Sequence, residues 1–132
     1  MIKGVHHIAY ITRDLDGLAK YFQEVLGFEF VKKIHYEPWD LDIILMKTGE
    51  QYVEVIKPLK PGSPSYRFLE KHGEGLYHVA YLSTDIEKDM EELKSKGIKF
   101  LEEKPAQGVA WLIATAINDE GDISFQIAQN KD

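Results

Sequence analysis

The chain has no cysteine. Disulfides, thiolate nucleophiles and thiolate metal sites are therefore excluded, and any metal must be held by imidazole, carboxylate or amide groups. Long apolar runs are also missing. Stretches such as "IILM" at Ile43 to Met46 fall far short of the roughly 20 residues a membrane-crossing helix needs. The amino-terminal "MIKGVHH" contains no run of signal-peptide length and already alternates like a strand, so the expected location is cytoplasmic. Basic residues are in the minority, 16 Lys and Arg against 22 Asp and Glu, for a net charge of −6. A general nucleic-acid-binding surface, which needs clustered Lys and Arg, is not expected. Local lysines such as Lys32, Lys33, Lys57 and Lys60 leave room for a small anionic ligand at one mouth.

What is present is the composition of an ordinary globular domain: 132 residues, 44% hydrophobic and 29% charged. A chain of this length can bury roughly two-thirds of its unfolded surface as one unit. Its most informative feature is an internal echo. "VHHIAY" at Val5 to Tyr10 returns 71 residues later as "LYHVAY" at Leu76 to Tyr81. The match extends beyond those letters, because "VHHIAYITRDLDGLAKYFQEVLGFEFVKK" and "LYHVAYLSTDIEKDMEELKSKGIKFLEEK" share a strand, a capped helix, a glycine stop and a second strand.

In the first half the spacing predicts a helix starting near Thr12 to Asp14. It would bury Leu15, Leu18, Ala19, Phe22, Val25 and Leu26, with Gly27 as left-handed cap. In the second, Thr84 and Glu87 fit a capping box, Ile86, Met90 and Leu93 form the stripe, and Gly97 ends it. Three further strands follow in each half, near 28–36, 41–47 and 51–57, then 98–103, 109–115 and 123–128. Between the halves, "KPLKPGSPSYRFLEKHGEG" reads as a linker with a short helix at Ser65 to His72. The expected fold is α+β, a single domain of two βαβββ modules, about 1–58 and 75–132, joined by a linker at about 59–74. A pseudo-twofold would relate them, with sheets curled around a shared cleft.

Period-two alternation sorts the strand faces. His7 shares a face with Val5, Ala9 and Ile11, and His78 with Ala80 and Leu82, so the two occupy matching positions. In the last strand of each half, Glu54 goes with Tyr52 and Ile56, and Gln126 with Ser124 and Ala128. The spacings match to within one residue, 47 from His7 to Glu54 and 48 from His78 to Gln126. A lone strand histidine is most often a hydrogen-bonded core residue. Two histidines, a glutamate and a glutamine at matched repeat positions favour a metal site instead. A carboxylate amid apolar residues is costly unless it is paired or ligated. Two imidazoles and two oxygens suit a divalent ion of the Co, Ni, Mn, Zn or Fe kind, with two positions left for water or substrate. His6 falls on the other face without a role, His35 and His72 read as solvated, and the runs "DIEKDMEEL" and Glu102–Glu103 read as solvated surface.

At these residues the sequence resembles the vicinal oxygen chelate, or glyoxalase and bleomycin-resistance, superfamily over essentially its whole length. Within it the methylmalonyl-CoA epimerases are most similar, through "VHHIAYITRDLDGLAKYFQEVLGFEF", "YVEVIKPLKPGSPSYRFLEKHGEGLYHVAY" and "EELKSKGIKFLEEKP". The resemblance implies a homodimer, a metal at His7, Glu54, His78 and Gln126, and an isomerase acting on an acyl-CoA. One base would remove the proton alpha to the thioester and an acid would return it on the other face. It also marks two departures. Gln126 stands where the family has a glutamate that is both ligand and acid–base group, and "PAQGVAWLIATAINDEGDIS" differs from the family's second-half pattern, with an extra residue before the last strand. An amide can ligate but cannot carry a proton. Glu54, at the mirror position, is the candidate to be both ligand and base, and Glu37 in "HYEPWDLD" lies close to the place of the family's other catalytic glutamate. The competing readings are a lactoylglutathione lyase, a non-haem iron dioxygenase, and a metal-free small-molecule binder with Trp39, Tyr52, Tyr66 and Trp111 lining its cleft.

Overall fold

A computed structural model describes residues 1–131. The elements run β1 (Ile2–Ile11), α1 (Leu15–Leu26), β2 (Glu29–Tyr36), β3 (Leu41–Thr48), β4 (Gln51–Pro58), α2 (Pro64–His72), β5 (Gly75–Ser83), α3 (Ile86–Ser95), β6 (Lys99–Phe100), β7 (Ala106–Gln107), β8 (Trp111–Ile117) and β9 (Ile123–Asn130). The fold is mixed α+β, and the βαβββ order predicted by the repeat appears in both halves. The second half departs in one respect. The strand expected over 98–103 is only the two-residue β6, and a short unexpected strand, β7, pairs with β8. No helix among the described residues is long and apolar enough to cross a membrane.

Two compact units emerge: residues 7–77, and residues 1–6 together with the chain from His78 onward. In the first unit the hydrogen-bonded strand order is β2-β3-β4-β1. Parallel pairing of β1 with β4 sets Ala9 opposite Glu54 and Ile11 opposite Ile56. Helix α1 covers the other sheet face, where Leu15, Ala19 and Phe22 close over Ile44, Met46, Val53 and Val55, joined by Tyr10, Leu18 and Phe28. Asp14 caps α1 by accepting from the Gly17 N–H at 3.1 Å, and Gly27 ends it in the left-handed region at φ 73°. The predicted stripe was too wide by two residues, since Val25 and Leu26 are 61% and 54% exposed. They sit in the last turn, beyond the sheet surface that Phe22 and Phe28 already cover.

The second unit repeats this plan with the order β5-β9-β8-β6. Ile86 and Met90 of α3 pack on Ala114 and Ile127, flanked by Leu93, Phe100, Leu112 and Phe125. Its cap differs from the capping box expected at Thr84. Asp85 is the N-cap and accepts from the Lys88 N–H at 3.3 Å, because the carboxylate one residue later reaches the same orphan donors of the first turn. Asp89, expected on a solvated face, is buried and accepts from the Ser83 hydroxyl at 2.5 Å. The first six residues belong here through His6, whose Nε2 lies 2.7 Å from Asn130 Oδ1 and whose ring meets Trp111 edge-on at 4.5 Å.

Candidate metal centre

In the first unit, β1 and β4 carry His7 and Glu54 on the sheet face turned away from α1, because Val53 and Val55 take the helix side. Both side chains are buried, and His7 Nε2 lies 3.7 Å from a Glu54 carboxylate oxygen. That separation allows charge interaction but exceeds hydrogen-bonding distance. Burial pushes the Glu54 carboxyl up to about 8, since desolvation penalises its charged form. A divalent cation beside it would reverse that penalty and restore the carboxylate.

In the second unit, His78 and Gln126 hold the matching positions. Parallel pairing of β5 with β9 sets Ala80 opposite Gln126, as Ala9 faces Glu54, and in each case the histidine stands two residues earlier on the same strand. Both residues are buried, and desolvation pushes the His78 imidazole down to about 3, so it is neutral at ordinary pH, the form in which a histidine ligates. The side-chain nitrogen of Gln126 donates to the Thr115 hydroxyl at 3.0 Å. Thr115 in turn donates to one oxygen of Glu102 at 2.8 Å, while its backbone N–H reaches the other oxygen at 2.6 Å.

The hairpins that carry Glu54 and Gln126 differ in length: Thr115 and its ladder partner Gln126 are 11 residues apart, where Leu45 and Glu54 are 9 apart. From Trp111–Asn130 to Ala116–Phe125 the β8–β9 ladder is regular, but Ile117 then pairs with Ile123, leaving Ser124 as a bulge. The first unit's β3–β4 ladder runs without a break. The bulge takes up one of the two extra residues and the longer turn the other, so Thr115 still faces Gln126 as Leu45 faces Glu54.

Glu37 is differently placed. It opens a single 3-10 turn, Glu37–Trp39, with its side chain 88% exposed and its carboxylate 3.1 Å from His35 Nε2. His35, expected to be merely solvated, also has Asp40 and Asp42 around its ring at 3.4 and 3.0 Å. The sequence reading overlooked Thr115 and placed Glu102 on a solvated surface, whereas Glu102 is half-buried against β8. The available signal was a hydroxyl within the otherwise apolar "WLIATAI".

The donor set itself fits a divalent ion: imidazole nitrogens, a carboxylate that burial leaves in need of positive charge, and an amide, with no thiolate. The sequence model of the Glyoxalase/Bleomycin resistance protein/Dioxygenase superfamily matches residues 6–115. The chain belongs to this superfamily. Among superfamily relatives it is 29% identical over 102 residues to the ethylmalonyl-CoA/methylmalonyl-CoA epimerase of Cereibacter sphaeroides, covering 76% of each chain. It is also 28% identical over 102 residues to the uncharacterized protein YqjC of Bacillus subtilis, covering 77% of this chain and 73% of that one. Among solved structures, a variant of the Streptomyces coelicolor methylmalonyl-CoA epimerase in complex with 2-nitronate-propionyl-CoA superposes with a TM-score of 0.90 at 22% identity, covering 98% of this chain and 96% of that one. At that identity the likeness speaks for the fold, which is the one the repeat predicts. Several relatives and structural neighbours are thus methylmalonyl-CoA epimerases, which are enzymes.

Proposed function

We propose that this protein is a metal-dependent isomerase that removes and returns the proton alpha to an acyl-CoA thioester, with methylmalonyl-CoA as the substrate to try first. The observation that carries this reading is the repeated register. Each half sets one buried histidine two residues before the partner of one buried oxygen-bearing side chain, Glu54 in the first half and Gln126 in the second. The epimerase relatives supply the substrate class. In this reading His7, Glu54 and His78, a His/Glu/His set able to hold an ion, and the amide oxygen of Gln126 are the ligands. When bound, the ion, one of Co, Ni, Mn, Zn or Fe, supplies a Lewis-acidic positive charge for the thioester oxygen as that oxygen turns negative.

The chain's own groups do the rest. Glu54 is the candidate base: a cation beside it restores its carboxylate, the form that can take up the alpha proton. Gln126 has no proton to exchange, so the second half contributes binding and orientation only. Glu37 is the second group of the acid–base pair. It serves once its carboxylate leaves His35 for the substrate, and its exposure leaves it free to do so. A homodimer belongs to the same reading, supported by the apolar Tyr21, Val25 and Leu26 left exposed on α1.

The test is deuterium exchange. In deuterated water, cobalt-loaded protein should wash the alpha proton out of methylmalonyl-CoA as followed by NMR, and EDTA should abolish the exchange. Glu54→Gln should slow it by roughly 100-fold or more, the usual worth of a general base. Should loaded protein give no exchange above background, the isomerase reading fails.

A further inference from the structure

Thr115 occupies the β8 position that Leu45 holds on β3. Leu45 pairs across the ladder with Glu54, and Thr115 pairs with Gln126. A leucine has nothing to offer a carboxylate, but the threonine hydroxyl engages the amide. Thr115 is completely buried and carries one hydroxyl proton, which goes to Glu102 Oε2 at 2.8 Å. The backbone N–H of Thr115 holds the other Glu102 oxygen at 2.6 Å, so the acceptor of that proton is pinned by two bonds to one residue. With its proton committed, the hydroxyl oxygen can only accept, and it accepts from the Gln126 nitrogen at 3.0 Å. Which end of an amide is nitrogen is ordinarily ambiguous. Here the chain of donors decides it: nitrogen toward Thr115, carbonyl oxygen away.

We infer that Glu102 and Thr115 form a positioning relay that fixes the amide of Gln126 with its carbonyl oxygen turned to the metal, making a neutral side chain a dependable oxygen ligand. The inference rests on the metal reading above and extends it to residues that touch no substrate. It also distinguishes the halves: Gln126 is held by a relay, whereas the cross-ladder partner of Glu54 is Leu45, which carries no hydroxyl. Partners that orient a ligand in this way are commonly worth 10–100-fold in metal affinity.

Cobalt affinity by calorimetry, together with the Gln126 side-chain amide signals of metal-free protein by NMR, tests this in wild type, Thr115→Val, Thr115→Ser and Glu102→Gln. Thr115→Val keeps the shape and removes the hydroxyl. It should weaken cobalt binding by roughly 10-fold or more and speed exchange of the Gln126 amide protons with solvent. Thr115→Ser, which restores a hydroxyl, should recover most of both, a rescue that a packing role for the threonine methyl would not produce. Glu102→Gln, which frees the threonine proton and so permits the amide to turn, should show an intermediate loss. Cobalt affinity within twofold of wild type in folded Thr115→Val overturns the relay and leaves the metal reading standing. Wild-type protein that takes up no cobalt overturns both.

Discussion

Glu54 is a carboxylic acid placed where its charge is unwelcome, and that single circumstance predicts how metal uptake depends on pH. With its proton held up to about pH 8 by burial, the metal-free protein at pH 7 carries a neutral Glu54, and on the proposed ligand set a metal would have to displace that proton. Calorimetry in buffers of differing ionisation enthalpy should therefore show about one proton released per cobalt at pH 7, with apparent affinity rising toward pH 8 and levelling beyond it. Glu54→Gln should abolish the released proton, and His7→Ala should lose stoichiometric cobalt altogether. A wild-type protein that binds cobalt with no proton release would contradict the burial argument. At this scale the sequence disclosed the residues but not their partners. That His7, Glu54, His78 and Gln126 take matching, buried register positions was legible because strand alternation and the repeat constrain them jointly. Thr115 and Glu102 were not, since a bond from one strand to the segment after another depends on tertiary placement that neither spacing nor composition encodes.

The helices illustrate how local chemistry fixes an element's position and where it misleads. Thr84 and Glu87 have the spacing of a capping box, yet the cap of α3 is Asp85. Asp85→Ala should cost about 1 kcal/mol in chemical unfolding, and Thr84→Ala, at an exposed position that is not the cap, should change stability by less than about half of that. Equal effects would mean the two residues share the cap. The glycine stop after α1 was readable because few residues other than glycine accept φ 73° at low cost. The long strand expected at 98–103 was misjudged for a different reason. Leu101 donates its N–H to Thr115 O, but Glu102 then turns its carboxylate onto the Thr115 backbone and hydroxyl in place of continued ladder pairing, so β6 stops after Phe100.

For the molecule as a whole, two buried titrating groups shape stability in opposite senses. The metal-free protein keeps His78 neutral down to about pH 3, whereas the unfolded chain protonates it below 6.5, so falling pH favours unfolding. It keeps Glu54 protonated up to about pH 8 while the unfolded chain ionises it above 4.5, so rising pH favours unfolding as well. Between pH 4.5 and 6.5 the two slopes cancel, which predicts a plateau in melting temperature, a decline toward pH 8 and another toward pH 3. On the proposed ligand set, saturating cobalt would take the ionised form of Glu54, and should raise the melting temperature and remove the decline on the alkaline side. Thermal melts across pH with and without metal check both. The duplicated plan was legible from the echo, while the nearly equal spacings hid a second-half hairpin two residues longer than its counterpart. The bulge at Ser124 takes up one of those two residues and has a practical corollary. It works as an expansion joint. The turn between Ile117 and Ile123 can be lengthened, or replaced by a grafted loop or affinity tag, and the added chain will be taken up there instead of being passed along β9 to Gln126.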